Sequence, residues 1–270
     1  MAESTSAVSE LVAAPLRPGP GIVVWTLCQR ELVRFFRQRN RVIGALGQPI
    51  IFWLLFSEGF KPSGLDYAHF FPGTLAMILM FTAIFATISI IEDRREGFMQ
   101  TVLIAPVARW SMVLGKILGG ALIALVQGLL FLALGWLTLD LQLSFSGLIQ
   151  LTLLMLVISL ALTSLGFAIA WRMDSTQGFH AIMSVFLLPM WLLSGSFFPA
   201  GGEGILAWIV WLNPLTYGVS GLRGLLSAAA EGAGAVHSPG VCWTVSLLFA
   251  VVMFAVATRV AKSRTTGDLL

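Results

Sequence analysis

Apolar and polar positions alternate along this chain in long blocks rather than in short periods. The apolar blocks contain almost no Asp, Glu, Lys or Arg, and polar loops separate them. About 20 apolar residues in a helix cross the hydrocarbon core of a bilayer. The pattern therefore predicts six membrane-spanning helices, over residues 42–57, 70–91, 117–138, 146–171, 178–198 and 240–258.

The composition agrees with this block pattern. Hydrophobic residues make up 57% of the 270 positions and charged residues only 11%, and the mean hydropathy is +0.90. Such a chain has too few polar side chains to cover a soluble globule of its length. We expect an all-α membrane protein.

Basic residues fall almost entirely on one side of the predicted spans. Of the 16 Lys and Arg residues, only Lys61 and Arg223 fall on the opposite side. Loops rich in Lys and Arg stay in the cytosol, so both termini are predicted to be cytosolic. Residues 1–20, rich in Ala, Ser and Pro, are expected to be a disordered cytosolic leader without a cleavable signal. Residues 21–260 are expected to form one membrane domain, followed by a cytosolic tail over 261–270.

A segment with the pattern of an amphipathic helix precedes the first span, within residues 21–40. At 100° per residue, Arg30, Arg34 and Arg37 share one stripe. The opposite face carries the apolar side chains of Trp25, Cys28, Leu32, Phe35 and Phe36. The pattern favours an interfacial helix with its Arg side chains toward anionic headgroups; a cytosolic helix packed on a partner protein is the alternative.

Residues 199–239 form the most irregular region, rich in Gly and Pro. Its apolar stretch is divided by Asn213-Pro214. A full span here would move the basic tail outside, against the charge rule. A re-entrant or interfacial helix pair on the outer face is therefore predicted, packed on the other spans because irregular backbone at membrane depth must be covered by protein.

The residues do not support ion coupling, ATP binding, metal binding or catalysis by this chain. The predicted spans hold no charged residue deep in the hydrocarbon, which disfavours ion coupling. No phosphate-binding GxxxxGK[ST] motif occurs, and Gly115-Lys116 lacks the required upstream glycine. The three His residues have no metal-ligand or catalytic spacing, so neither a metal site nor a catalytic residue is expected. Gly115 and Gly119 are a small-xxx-small pair that favours close helix packing, either within the chain or in a dimer.

The charged loop over 92–116 is the most specific feature. Its first part, 92–100, is predicted to form a short amphiphilic helix, and Pro106 ends the apolar run that follows. This loop resembles the cytosolic loop of type-2 ABC exporter permeases. The matching features are an acidic and basic cluster, followed by Arg95-Glu96-Gly97, Ala105-Pro106-Val107 and Gly115-Lys116. The segments LSGSFFP (193–199) and NPLTYGVSGLR (213–223) fit the same family. The resemblance covers most of the chain and is nearest to bacterial drug, antibiotic and polysaccharide export permeases.

The resemblance implies a permease of the bacterial inner membrane that forms a dimer, here expected to be a homodimer, with a pair of different permeases as the open alternative. Two cytosolic subunits would bind ATP and Mg²⁺, and this chain would bind neither. No nucleic-acid partner is expected, and membrane lipid surrounds the protein. Contact with the ATPase and transfer of its movement are assigned to the loop and the leading helix: Glu92, Asp93, Arg94, Arg95, Glu96, Gly97, Pro106, Arg30 and Arg34.

The same resemblance places a substrate path between two copies, near the second and fifth spans. Candidate lining residues are Phe81, Phe85, Met183, Phe186 and Met190, since aromatic and Met side chains adapt to apolar ligands. Asn213, Pro214 and Tyr217 are the candidate external gate. The cargo, a hydrophobic drug, a lipid or a lipid-linked glycan, stays open.

Two other function classes remain as alternatives. An ion-coupled or facilitative carrier would transport without any ATPase. A membrane scaffold or an intramembrane enzyme would not transport at all, and the absence of paired catalytic groups disfavours the enzyme.

Overall fold

The chain folds into helices that follow the apolar blocks. This computed structural model describes residues 18–64, 67–139, 141, 143–196, 204–227 and 237–263, and most of the predicted leader and most of the predicted tail lie outside them. Within these residues we number eleven α-helices, and no strand is formed. Their bounds are α1 (Pro20–Arg37), α2 (Arg39–Phe60), α3 (Tyr67–Ala86), α4 (Ile88–Arg95), α5 (Phe98–Ile104), α6 (Arg109–Thr138), α7 (Phe145–Ala170), α8 (Thr176–Trp191), α9 (Ile205–Leu212), α10 (Pro214–Ser227) and α11 (Pro239–Ser263).

Six helical stretches in the described residues are long and apolar enough to cross a membrane, which confirms the all-α fold with six predicted spans. Most extend past the predicted limits: α6 begins at Arg109 rather than at 117, and the second stretch runs over α3 and α4 to Arg95. Hydropathy marks only the part of a helix that lies in hydrocarbon, while the hydrogen-bonded helix continues through polar residues into the headgroup region. Thus the predicted loop 92–116 is largely helical.

Local sequence signals explain where several helices begin. Pro20, Pro214 and Pro239 start α1, α10 and α11, because proline has the helical φ and needs no backbone donor in the first turn. Ser144 and Ser175 cap α7 and α8, accepting from the backbone N–H groups of Gly147 and Gly178.

Helix α3 lies at the centre of the bundle and is almost entirely buried. It packs against α2, α6, α7 and α8, while α11 packs mainly on α7 and α10. Helices α2 and α11 leave most of their surface uncovered, as expected for helices that face lipid or another membrane protein. An aromatic cluster joins α2, α3 and α6: the rings of Phe71 and Phe131 stack with centroids 4.6 Å apart, and the edge of the Trp53 ring meets both.

Helix α1 lies against α6, and two glycines allow the close approach. A Cβ atom at Gly115 would lie 2.9 Å from Leu27 Cβ, and one at Gly119 would lie 2.6 Å from Glu31 Cβ. The small-xxx-small pair predicted for close packing therefore serves a contact within the chain, between α1 and α6. The face of α1 that meets α6 contains Leu27, Cys28 and Glu31.

Within the predicted apolar face of α1, Cys28 and Phe35 are buried, whereas Trp25 and Phe36 are exposed and stay available to lipid. The carboxylate of Glu31, which belongs to neither predicted face, is buried. The pattern missed this because a buried charged residue looks like a surface residue until its partner, here Lys116, is known.

We predict that Gly119→Ala weakens the docking of α1 on α6 by about 1–3 kcal/mol, because the added methyl overlaps the Glu31 side chain in a filled interface. Thermal unfolding in detergent should show a lower Tm. The matched control is Gly21→Ala in α1, where a Cβ meets nothing within 4 Å. Equal Tm values for both variants would contradict this packing.

Candidate functional site: the cytosolic charge cluster and the cavity beside it

On the side predicted to be cytosolic, three helices meet in a group of charged side chains. We call Arg30, Glu31, Arg34, Glu92, Asp93 and Lys116 the cytosolic charge cluster. They come from α1, α4 and α6, so residues up to 85 positions apart in the chain are brought together. The cluster joins the leading helix to the predicted coupling loop.

Asp93 is the centre of the cluster, with no exposed side-chain surface. The two terminal guanidinium nitrogens of Arg30 each donate to one of its carboxylate oxygens, over 2.9 and 2.7 Å. Arg34 donates to the same carboxylate over 2.7 Å, and the Lys116 ammonium also contacts it. Three cations around one buried carboxylate form an arrangement that is stable only when the donors remain in place.

Lys116 lies as deep as Asp93, with 2% of its side chain exposed. Its ammonium group also donates to Glu31, which is itself buried. A buried ammonium needs such carboxylates, because burial of an unpaired charge is costly. Lys116 therefore fastens α6 to both α1 and α4.

Arg30 reaches a third element. Its guanidinium carbon lies 3.8 Å from the centre of the Phe98 ring in α5, a cation–π contact. Burial lowers the pKa of Arg30, but hydrogen bonds and charge from Asp93 outweigh this effect, so the pKa is raised and the side chain stays charged. The two arginines predicted to face headgroups, Arg30 and Arg34, instead contact protein carboxylates. Arg37 is exposed and forms no ion pair with a described residue.

The helix predicted over 92–100 is broken in two. Helix α4 ends at Arg95, Gly97 has a φ of 78°, and α5 begins at Phe98. This left-handed conformation suits glycine and stops a continuing helix. As a result, Met99 faces the protein and is buried, while Gln100, Thr101 and Ile104 are exposed.

The other predicted coupling residues have distinct environments. Glu92 pairs with Arg34 over 2.8 Å, and Glu96 approaches the same guanidinium over 3.4 Å. Arg95 and Pro106 are exposed. Arg94 points away from the cluster, toward the turn between α7 and α8.

A cavity of about 940 Å³ lies beside the cluster, which we call the cytosolic cavity. Phe81 and Phe85 line it, together with Met77 and Thr82 from α3, Gln48 from α2 and His180 from α8. Glu92 and Arg37 also line it. The lining therefore combines apolar and aromatic side chains with polar and charged ones.

The remaining predicted path residues belong to α8 but do not line this cavity. Met183 is fully buried, Phe186 is about half exposed, and Met190 is partly buried. These three side chains thus differ in burial within a single chain, and their place in a path stays a prediction.

The predicted external gate residues tie helix ends together. The Asn213 side-chain amide donates to the Met190 carbonyl over 2.6 Å, and its oxygen accepts from the Leu215 N–H over 3.0 Å. Pro214 starts α10, and the Tyr217 hydroxyl donates to the Trp211 carbonyl over 3.0 Å. The motif thus joins α8, α9 and α10 by hydrogen bonds. Of the predicted outer region 199–239, residues 199–203 and 228–236 lie outside the described residues.

Sequence reasoning missed two residues of the site. The sequence pattern assigns no role to Glu31, and it includes Lys116 only in the Gly115-Lys116 motif of the family resemblance. The available signal was their position: Glu31 follows Arg30 on an apolar face, and Lys116 lies between the two small residues of the glycine pair.

Comparisons with known proteins place the chain among transport permeases by sequence. A family model described as ABC-2 type transporter matches residues 22–227. The chain is 29% identical over 160 residues to the probable multidrug ABC transporter permease YbhR of Escherichia coli (strain K12), covering 57% of this chain and 42% of that protein. It is 25% identical over 217 residues to the putative transport permease ycf38 of Cyanophora paradoxa, covering 76% of this chain and 74% of that protein. The chain thus matches less than half the length of YbhR.

We predict that Asp93→Asn destabilises the fold by about 3–5 kcal/mol, since it leaves Lys116 and Arg30 buried without their shared carboxylate. Denaturant unfolding in detergent measures the change. The control Glu96→Gln removes a 60% exposed carboxylate of the same helix end and should cost less than about 1 kcal/mol. The prediction fails if the two variants unfold alike.

Proposed function

Since this chain belongs to the ABC-2 type transporter family, we propose that it is the membrane permease subunit of an ATP-driven exporter. One observation carries the proposal: a charged, ordered cytosolic unit joins the leading helix, the coupling loop and α6, next to a cavity between the spans. A subunit powered from the cytosol needs such a surface to receive movement.

The contact with the ATP-binding subunit would be made by the outer side of the coupling segment, residues 92–106. Its exposed side chains include Arg95, Glu96, Gln100, Ile104 and Pro106. Ile104 is 75% exposed, which is unusual for an isoleucine on a cytosolic surface and typical of an apolar anchor at an interface. Asp93, Arg30 and Arg34 would act behind this surface by keeping α1 and α4 together, and ATP with Mg²⁺ would bind to the partner.

The substrate path would begin in the cytosolic cavity. Phe81, Phe85 and Met77 offer an apolar wall, whereas Arg37, Gln48 and His180 offer polar groups. Such a division suits an amphiphilic or hydrophobic molecule whose polar end stays near the cytosolic leaflet. YbhR is described as a probable multidrug permease, which supports a hydrophobic drug as cargo and outward transport.

A second copy of this chain would complete the path. Exposed apolar side chains on α2 and α8 flank the cavity, among them Leu55 at 63% and Val185 at 78% exposure. Bringing two such faces together would bury them and enclose the cavity. In this arrangement Phe186, about half exposed on α8, would face the route between the copies, and the Asn213 motif would hold its outer end.

We expect an ATPase subunit to copurify with this protein after mild extraction from its native membrane. Ile104→Asp should reduce the copurified ATPase about tenfold, because it places a carboxylate in an apolar contact. Ser263→Asp, which adds the same charge at the exposed end of α11, is the control. If no ATPase copurifies and transport proceeds without ATP, the carrier alternative replaces this proposal. If the Ile104→Asp protein recovers the full amount of ATPase, the docking site does not include Ile104.

Phe85→Ala should lower the rate of ATP-dependent ethidium efflux several-fold in proteoliposomes that contain the complex, because it removes part of the aromatic wall of the cavity. Phe145→Ala removes an aromatic ring that is 80% exposed at the start of α7, outside the cavity, and should leave efflux unchanged. The assay should be repeated with a fluorescent short-chain phospholipid to separate drug export from lipid export. Equal efflux by both variants with both probes would remove Phe85 from the path.

A further inference from the structure

Arg94 makes contacts unlike those of its neighbours in α4. One guanidinium nitrogen donates to the backbone carbonyls of Trp171 and Met173, over 2.7 and 3.3 Å. The other donates to the Asp174 carboxylate over 3.2 Å. Arg94 thus holds the short turn that leads from α7 to α8.

The carbonyls that Arg94 holds lie at and just after the end of α7. Trp171 directly follows the last residue of α7, and the final carbonyls of a helix have no partner within that helix. A cation there also interacts favourably with the negative end of the helix dipole. The link therefore joins Arg94 to the backbone itself, which leaves little freedom between α4 and the turn.

The turn is short, so a shift of its backbone moves α8. Two residues separate Met173 from the first residue of α8, Thr176, and Ser175 caps that helix. Along α8, one stripe is buried at intervals of four residues, formed by Phe179, Met183, Leu187 and Trp191. Most of the remaining surface of α8 is exposed, so its position depends mainly on this stripe and on its two ends.

The outer end of α8 is also held by hydrogen bonds. The Trp191 indole donates to the Gly73 carbonyl over 2.7 Å, and Asn213 donates to the Met190 carbonyl. With the outer end anchored, a displacement of the inner end changes the tilt of α8. His180, in the second turn of α8, lines the cytosolic cavity, so a change of tilt changes the shape of that cavity.

Helix α4 is suited to move as a short rigid piece. A tight turn at Thr87 separates it from α3, where the Thr87 N–H and hydroxyl both bond to the Ile84 carbonyl. Gly97, in the left-handed region, separates it from α5. Between these points, Asp93 is fastened to α1 and Arg94 to the turn before α8.

We propose that Arg94 is a positioning residue that transmits movement of the coupling segment to the inner end of α8. This inference rests on the proposed function, since it needs an ATPase that moves the coupling segment. It assigns Arg94 a role inside the permease: its contacts are with the α7–α8 turn, whereas Arg95 beside it is exposed for a partner. The backbone carbonyls carry the link, because Asp174 is 84% exposed and its pairing with Arg94 is weakened by water.

The test uses the permease with its copurified ATPase. Cys28 and Cys242 are replaced by serine, and an environment-sensitive fluorophore is attached through Gln177→Cys, an exposed position in the first turn of α8. ATP addition should change the emission of the label. In Arg94→Ala we expect that change, and ethidium efflux, to fall roughly tenfold with the loss of charge-assisted hydrogen bonds. The amount of copurified ATPase and its basal ATP hydrolysis should be retained.

The matched control is Arg172→Ala, which removes an exposed cation from the same turn; its side chain forms no hydrogen bond or ion pair with a described residue. It should behave like the unaltered complex, and Asp174→Asn should lose less than Arg94→Ala. If Arg94→Ala inserts poorly into the membrane, the label response and efflux of Arg94→Lys test the inference instead. It keeps the charge but cannot span both carbonyls and the carboxylate, and its response should lie between those of Arg94→Ala and the unaltered complex.

Two results would overturn the inference while leaving the proposed function intact. A normal label response and normal efflux in Arg94→Ala would show that α8 is moved by another route. Loss of the ATPase from Arg94→Ala, but not from Arg172→Ala, would place Arg94 on the docking surface. Failure of the unaltered protein to bind any ATPase would instead contradict the proposed function itself.

Discussion

The buried carboxylate of Asp93 is the constraint on which the packing of α1, α4 and α6 depends. It receives hydrogen bonds from Arg30 and Arg34 of α1 and from Lys116 of α6. Each partner needs the others, because any one charge left alone at this depth would be costly. The glycine pair on α6 brings α1 close enough for the contacts to form. Packing and electrostatics therefore select the same position for the leading helix, and α1, α4 and α6 form one unit.

This unit gives the coupling segment a fixed inner side and an available outer side. Phe98 and Met99 face the protein, the first beneath Arg30, while Gln100 and Ile104 are exposed. Gly97 produces the division by ending α4 with a left-handed turn. A partner that pushes on α5 would thus act on α1 and α4 together, and through Arg94 on the turn before α8. A change in the position of these helices would alter the shape of the cavity beside them and so the contacts of a molecule bound there.

The sequence predicted the number and order of the spans because each is a long apolar block between charged loops. It also predicted the family, through Arg95-Glu96-Gly97, Ala105-Pro106-Val107 and NPLTYGVSGLR, and the match to the ABC-2 type transporter family confirms this. It did not predict the ends of the helices, since backbone hydrogen bonding continues where hydropathy stops. It could not pair Glu31 with Lys116 or Arg94 with the carbonyls of Trp171 and Met173, because such contacts depend on how helices are placed in space. The transport roles of the predicted site residues stay predictions.

The central claim is that α1, α4 and α6 move as one unit while α8 changes its tilt. The most direct measurement is cryo-electron microscopy of the permease with its copurified ATPase, without nucleotide and with ATP bound. The account predicts that the contacts of Arg30 and Lys116 with Asp93 are present in both states and that the inner end of α8 moves relative to α3. A structure in which these contacts break on ATP binding, or in which α8 keeps its place, would contradict it.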